Sequence, residues 1–346
     1  MFSFMKQGHK LYFLGQVEAK EYVEFLNKRG VTASFKDIKF SSKILTYLFQ
    51  IIYLIKFCRK HKINVVYSHL ESANFIAVLA QFFISAKVVV CRHHVDEIHL
   101  NNQEKSLSYY LIYKLARRII VVSKRAKNFM VDVEKVNPNK IYKINLAYDF
   151  KLYDRVNVQK VEELRREYDC KLLIVTACRL VKDKRPELAV ELIERLCMLN
   201  YDAKMLILGR GEMETLLNEQ IRERNLEDKC FLLGHQSNIL DYLAASDIIF
   251  HPSFLDSSSV IVKEAGLVRK PVVVCAGVGD FDDYIVSGKN GVLVSKEETV
   301  KDTVEFLKKF YGGKDDFNFL GENLSIDVNR LFSLENILPE YQKFNS

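Results

Sequence analysis

Four cations, Arg179, Lys182, Lys184 and Arg185, fall within seven residues, between a strand-like run (171–176) and a helical one (186–199). Free N–H groups and the dipole at a helix start already attract anions. Arg and Lys added there make a site for a diphosphate. A solvated basic turn is the plain alternative, and the strand-to-helix position favours phosphate. A second group, Asp256-Ser-Ser-Ser259 with Glu264, follows the strand-like run 248–251. Small polar residues before a helix leave backbone N–H groups open to a ligand. A carboxylate nearby can accept a pair of sugar or ribose hydroxyls. An N-capping Asp or Ser before an ordinary helix Glu is the simpler account from residue types alone. A third group gathers histidines at two strand ends. His69 follows one run; His93 and His94 follow another, with Asp96 and His99 beyond. Such histidines can donate, accept or take a proton, or be structural. Their spacing matches no zinc pattern. Gly209-Arg-Gly211 and Gly277-Val-Gly279 read as tight turns. They lack the third glycine and the acidic residue of a dinucleotide fingerprint.

The elements that must position these groups alternate. Short β-branched runs at 64–68, 87–91 and 119–122, with flanking strands at 10–14 and 140–145, are interleaved with helical segments at 43–60 and 106–117. After a charged connection at 151–168, the alternation resumes with runs at 171–176, 204–209, 230–234, 248–251, 271–275 and 291–294. Helical segments at 186–199, 212–224, 239–245 and 259–267 lie between them, and a helical tail follows 300. This alternation predicts an α/β protein with doubly wound parallel sheets. Ligands of such sheets bind outside the carboxyl ends of the strands, where all three groups lie. The segment 43–60 carries aromatic and aliphatic residues on nearly every face, which predicts a core helix. An in-plane membrane helix is the competing account.

The 346 residues are 49% hydrophobic and 27% charged, the mix of a globular chain and not of a disordered or collagenous one. Seven cysteines without a Cys-x-x-Cys pair argue against a disulfide framework or structural zinc, and for a reducing cytoplasm. No secretory signal is visible, and the longest apolar stretch, 44–55, is too short to span a bilayer. The net charge of +7 is unevenly placed. Residues 1–150 hold 24 Lys and Arg against 11 Asp and Glu, whereas 151–346 hold 27 against 33. A basic first half predicts an anionic partner, the candidates being nucleic acid, an acidic lipid surface and a phosphorylated acceptor. With no recognition-helix or aromatic-sheet signature, nucleic acid is not expected.

The ordered set of motifs resembles the retaining family-4 glycosyltransferases of GT-B fold, of the kind that builds bacterial surface polysaccharides. Cys178-Arg-Leu-Val-Lys-Asp-Lys184 resembles the family's G-R-L-x-x-x-K, and Leu206-Ile-Leu-Gly-Arg-Gly211 its strand and G-x-G turn. Phe231-Leu-Leu-Gly234, Asp247 and His251-Pro-Ser253 follow in the expected order. Asp256 and Glu264 fall on two family glutamates separated by seven residues, and 284–294 resembles the closing motif. His69-Leu-Glu-Ser-Ala-Asn74 and Arg92-His93-His94 resemble first-domain strand ends. Asp256 stands where the family has Glu, and Ser257-Ser-Ser259 where it has Gly-Phe-Gly. The family's first strand and Gly-rich turn have no counterpart before 5–9.

The resemblance implies two Rossmann-like domains facing across a cleft. The acceptor-side domain would span 1–152, the connection 153–168, the nucleotide-sugar domain 169–325 and a helical tail 326–346. It implies a hexosyltransferase that uses a UDP- or GDP-linked sugar without a cofactor or metal. The acceptor would be a glycan or a polyprenyl-linked chain, met in the cytoplasm or at the inner membrane face. Arg179 and Lys184 would hold the donor diphosphate, with Asp256 and His94 at the reacting sugar. Glu264, Ser257, Ser258, Ser259, Gly209 and Gly234 would line the donor, and His69, His93 and Asp96 the acceptor side. The alternatives are a catalytically impaired nucleotide-sugar-binding subunit and, on the same scaffold, an epimerase.

Overall fold

The computed structural model describes residues 2–16, 20–93, 107–310 and 314–344. The chain forms two compact units. One comprises Met1–Val121, Met130–Tyr142 and Leu338–Ser346; the other comprises Val122–Phe129 and Lys143–Ile337.

The second unit is built on a six-stranded parallel sheet. Its strands are β7 (Leu172–Ala177), β8 (Ala203–Leu208), β9 (Cys230–Gly234), β10 (Ile248–His251), β11 (Val272–Cys275) and β12 (Val292–Val294). Their order is β12-β11-β10-β7-β8-β9. Every residue of β7, β10 and β11 is buried, as expected for strands covered on both faces. The order reverses direction between β7 and β10, which places a crevice outside their carboxyl ends. Thr176 is polar within this core, and its hydroxyl is satisfied by the Phe250 carbonyl at 2.8 Å.

The charged segment 151–168 is more than a connection. It contains a helix, Val158–Glu167, with Asn157 accepting the Lys160 N–H at its start. Only Leu164 on this helix is fully buried, so its apolar stripe is too thin to stand out among charges. Arg165 pairs with Asp247, which also accepts the Leu173 N–H at 2.7 Å. The helix is thereby tied to the amino ends of the two central strands, β7 and β10.

The first unit holds its parallel strands in two sheets. β1 (Tyr12–Gly15) pairs with β2 (Thr32–Phe35). β3 (Val65–His69), β4 (Lys87–Arg92), β5 (Ile119–Val121) and β6 (Ile141–Lys143) form the other, in that order. The sequence pattern did not give β2, the helices Phe2–Lys6, Lys20–Lys28 and Glu71–Ala80, or the helix Lys124–Asp132, most of which belongs to the second unit. All are short, and Lys20–Lys28 and Lys124–Asp132 each carry four charged residues in nine. The chain returns to this unit at its end, where the Tyr341 carbonyl accepts the Tyr67 hydroxyl at 3.0 Å.

The helix Lys43–His61 departs from the core helix expected. Only Cys58 is fully buried. Its inner face packs through Tyr47 against Phe75 and through Phe57 against Tyr12. Ile44, Leu45, Leu48, Phe49 and Ile52 are exposed. The helix carries more apolar residues than one packing face can bury.

Candidate functional site

The crevice outside β7 and β10 gathers two of the three groups. β7 runs into Cys178, and Arg179 follows it, exposed. The backbone there is laced to its neighbours. Cys178 N–H donates to the Leu208 carbonyl at 3.1 Å, and Leu180 N–H to the Arg210 carbonyl at 2.9 Å. This close approach explains Gly209 and Gly211. A Cβ on Gly209 would lie 1.8 Å from the Cys178 oxygen, and one on Gly211 2.3 Å from the Leu180 oxygen. Gly209 also has φ +131° and donates its N–H to the Gly234 carbonyl at 2.8 Å. The tight-turn account of these glycines stands, and it gives them a duty: they let the Arg179 loop lie flat on the ends of β8 and β9. Gly209→Ala is expected to cost about 2–3 kcal/mol by forcing that loop away. Urea unfolding measures the loss, and a midpoint equal to wild type contradicts it.

Two of the four cations are already committed. Arg185, at φ 50°, spends its guanidinium on the protein. It donates to the Pro252 carbonyl at 2.8 Å, the Lys296 carbonyl at 2.6 Å and Thr299 Oγ1 at 3.1 Å. It is a stitch between loops, not a phosphate ligand. Lys184 Nζ donates to Asp256 Oδ2 at 2.7 Å and to the Leu255 carbonyl at 3.0 Å. Arg179 differs: its side chain has no partner among the described residues. A fixed lysine thus lies in the same loop as an uncommitted arginine at the end of the sheet.

Asp256 is the hub of the β10 loop. Besides Lys184, its carboxylate faces His251 Nε2 at 3.2 Å and accepts the Ser257 N–H at 2.8 Å. Burial alone would raise its pKa, but His251 and Lys184 more than offset burial and hold the carboxyl well below the usual range. With Asp256 ionised, Nε2 carries the ring proton and shares it with Ser259 Oγ, also at 3.2 Å. Burial lowers the His251 pKa, so the ring is neutral, and Nδ1 has no hydrogen-bond partner among the described residues. Ser259 occupies the N-cap position of the helix Val260–Leu267, yet its hydroxyl does not cap it. The N-capping account therefore fails for Ser259. The first N–H groups of that helix are left without a side-chain cap.

Ser258 turns inward, where its hydroxyl donates to Asp280 Oδ2 at 2.6 Å. Asp280 is paired with the fully buried Lys263 at 2.9 Å, and Lys263 also donates to the Tyr284 hydroxyl at 3.1 Å. Ser257 is held from the other side: a Cβ on Gly279 would meet the Ser257 oxygen at 2.8 Å. Glu264 is half-buried, and burial pushes its pKa up. Its carboxylate has no partner among the described residues, so it is free to accept hydroxyls. Tyr153 is pushed up to about 12, first by burial and then by the Glu264 charge. His251, Lys263, Asp280 and Tyr153 went unread as site residues. Only His251, inside the His-Pro-Ser motif, carried a signal.

In the first unit, His69 and His93 do come together. Their rings stack at 5.1 Å between centroids, with His69 Nδ1 2.7 Å from His93 Nε2. One nitrogen must donate and the other accept. Leu70, next in the chain, holds φ 71°, a strained conformation for a bulky residue. His94, Asp96 and His99 lie outside the described residues. Among the described residues no three His, Cys, Asp or Glu side chains gather as metal ligands would.

Two family profiles cover the chain. Residues 3–151 match Glycosyltransferase Family 4, and residues 159–323 match Glycosyl transferases group 1. The N-acetyl-alpha-D-glucosaminyl L-malate synthase of Bacillus anthracis is 23% identical over 82% of this chain and 74% of its own. A Campylobacter jejuni enzyme, N-acetylgalactosamine-N,N'-diacetylbacillosaminyl-diphospho-undecaprenol 4-alpha-N-acetylgalactosaminyltransferase, is 27% identical over 64% of this chain and 59% of its own. Among solved structures, Anabaena HepE in complex with UDP superposes with a TM-score of 0.80 at 16% identity, covering 97% of this chain and 99% of that one. Profiles on both halves and two units of parallel sheet lead to one assignment: the chain belongs to the family-4, group 1 glycosyltransferases of GT-B fold.

Proposed function

We propose that the chain transfers a hexose from a nucleoside-diphosphate sugar to a lipid-linked or glycan acceptor at the inner face of the cell membrane, in the building of a surface polysaccharide. The observation that carries this is the exposed, partnerless Arg179 in one loop with the Asp256-held Lys184, at the carboxyl ends of β7 and β10. As the glycosidic bond breaks, the departing diphosphate gains charge. The held Lys184 and the free Arg179, closing on the diphosphate, stabilise that charge more in the transition state than in the bound donor. In this reading no metal is required, since Arg179 and Lys184 supply the positive charge. The partnerless Glu264 carboxylate takes the ribose hydroxyls. The Ser257–Ser259 backbone faces the phosphate and sugar. No protein nucleophile is assigned, and the product keeps the donor configuration, with the leaving phosphate as base.

The Campylobacter relative's name describes a diphospho-undecaprenol acceptor, which supports a lipid-linked one here. HepE was crystallised with UDP, which makes UDP the first nucleotide to test. Calorimetric titration with UDP, GDP and ADP tests the donor site. Binding of one of them, lost in Arg179→Ala, supports the reading; binding of none opposes it. Glu264→Ala is expected to weaken that nucleotide by about 10- to 100-fold, the worth of hydrogen bonds to a charged acceptor. Unchanged affinity would remove Glu264 from the site.

A further inference from the structure

The outer face of the helix Lys43–His61 has no partner among the described residues, and its pattern is specific. Ile44, Leu45, Leu48, Phe49 and Ile52 lie on one side at helical spacing, with Ile44 79% and Leu48 49% exposed. The same stripe continues as Lys56, Arg59 and Lys60. Two and a half turns of apolar surface thus give way to a cationic end. Phe40, itself exposed, packs against Phe49 with the rings tilted by 39° and 4.8 Å between centroids, and widens the apolar part. At the cationic end Arg59 donates to the Phe83 carbonyl at 2.9 Å, beside the exposed Phe82 and Phe83. From Ile38 to Leu70 the chain has six Lys and Arg and no Asp or Glu.

A contiguous apolar patch of this kind marks an interaction surface. The charge pattern selects its occupant. A second copy of the chain would oppose like cations to like. A bilayer with anionic headgroups offers acyl chains to the isoleucines and leucines, and negative charge to Lys56 and Lys60. No described helix is long and apolar enough to cross a membrane, so the geometry is that of a helix lying in the interface plane. We infer that the outer face of the Lys43–His61 helix docks the chain on an anionic lipid surface, Ile44 to Ile52 inserting among acyl chains and Lys56 to Lys60 meeting headgroups. This rests on the membrane-side placement proposed above and names the surface that achieves it.

Co-sedimentation with vesicles tests it, using phosphatidylcholine alone and phosphatidylcholine with about one quarter phosphatidylglycerol. The whole chain is expected to bind the mixed vesicles and to lose affinity as salt rises from about 0.1 to 0.5 M. Ile44→Gln/Leu48→Gln/Ile52→Gln should weaken binding at least about tenfold, and Lys56→Gln/Lys60→Gln should reduce it and flatten the salt dependence. Titration of each variant with the nucleotide that wild type binds, at a site in the other unit, reports on its fold. It also separates the two readings, because vesicle binding and nucleotide binding can fail independently. Equal binding to neutral vesicles, no binding to either, or variants that bind as wild type would each overturn the inference. So would a wild-type dimer that the apolar variant dissolves.

Discussion

Lys184→Ala is expected to lower the rate of sugar transfer by about 10²- to 10³-fold or more, the range for removing one preorganised charge from a transition state. Arg179→Ala should do the same by a cleaner route. Arg179 has no partner among the described residues, so its loss leaves every described contact in place and removes only its charge. Lys184 does two things. In the proposed function it meets the diphosphate, and it supplies one of the two groups that hold the Asp256 carboxyl ionised. Its loss leaves the Asp256 carboxylate with only His251 and the Ser257 N–H, where burial favours protonation. The two variants should therefore differ in pH response. Arg179→Ala should keep the wild-type profile. Lys184→Ala should lose further activity toward acid, because the Asp256 pKa rises toward its ordinary value when the cation is gone. The loss should fall on kcat at least as heavily as on donor binding, as expected for charge used when the leaving group departs. Turnover with a panel of UDP- and GDP-sugars measures both. Wild-type rates in either variant would remove the diphosphate assignment.

The second unit was legible because physics repeats itself along it. Strands such as Leu172–Ala177 and Val272–Cys275 are buried on both faces. They therefore read as unbroken apolar runs, whatever surrounds them. The site followed from the topology, since Arg179 and Asp256 each stand a few residues beyond a strand end. Side-chain use was not legible. Arg185 and Arg179 look alike in the sequence, but one is consumed by Pro252, Lys296 and Thr299 and the other is not. Which cation remains uncommitted depends on carbonyls more than sixty residues away. The same holds for Ser258 and Ser259, adjacent hydroxyls that serve Asp280 and His251. The Lys43–His61 helix shows the converse limit. Composition measured how apolar it is, but not whether the unit had enough surface to cover it. Neighbours, not residue type, decide that.

Asp280→Asn is expected to cost about 3–5 kcal/mol of stability, more than any other single change considered, because it leaves a buried ammonium without its counter-charge. Lys263 is 0% exposed and touches Asp280 with both carboxylate oxygens within 3.2 Å. Its remaining surroundings are the Tyr284 hydroxyl and the faces of Tyr284 and Phe332, the latter at 4.4 Å. Ring faces attract a cation but do not replace a carboxylate. Burial pulls the lysine pKa down and pushes that of Asp280 up, each opposed by the other's charge. Once the aspartate is gone, burial dominates, opposed by the Asp256 charge and reinforced by that of Lys143, and the folded variant sheds the lysine proton while the unfolded chain keeps it. The unfolded state then binds more protons, so the variant's stability climbs with pH and its deficit narrows toward alkaline conditions. Lys263→Met/Asp280→Asn removes the ammonium too, and should recover most of the loss. Denaturant unfolding of wild type, single and double variants at two pH values tests all three points. A single variant within about 1 kcal/mol of wild type at neutral pH would show that the pair is not ionised. The consequence for function runs through Ser258. Asparagine still offers that hydroxyl an oxygen, so the surviving folded fraction of Asp280→Asn should bind nucleotide as wild type does. Asp280→Ala removes the acceptor, frees Ser258, and should weaken nucleotide binding through the loop it anchors.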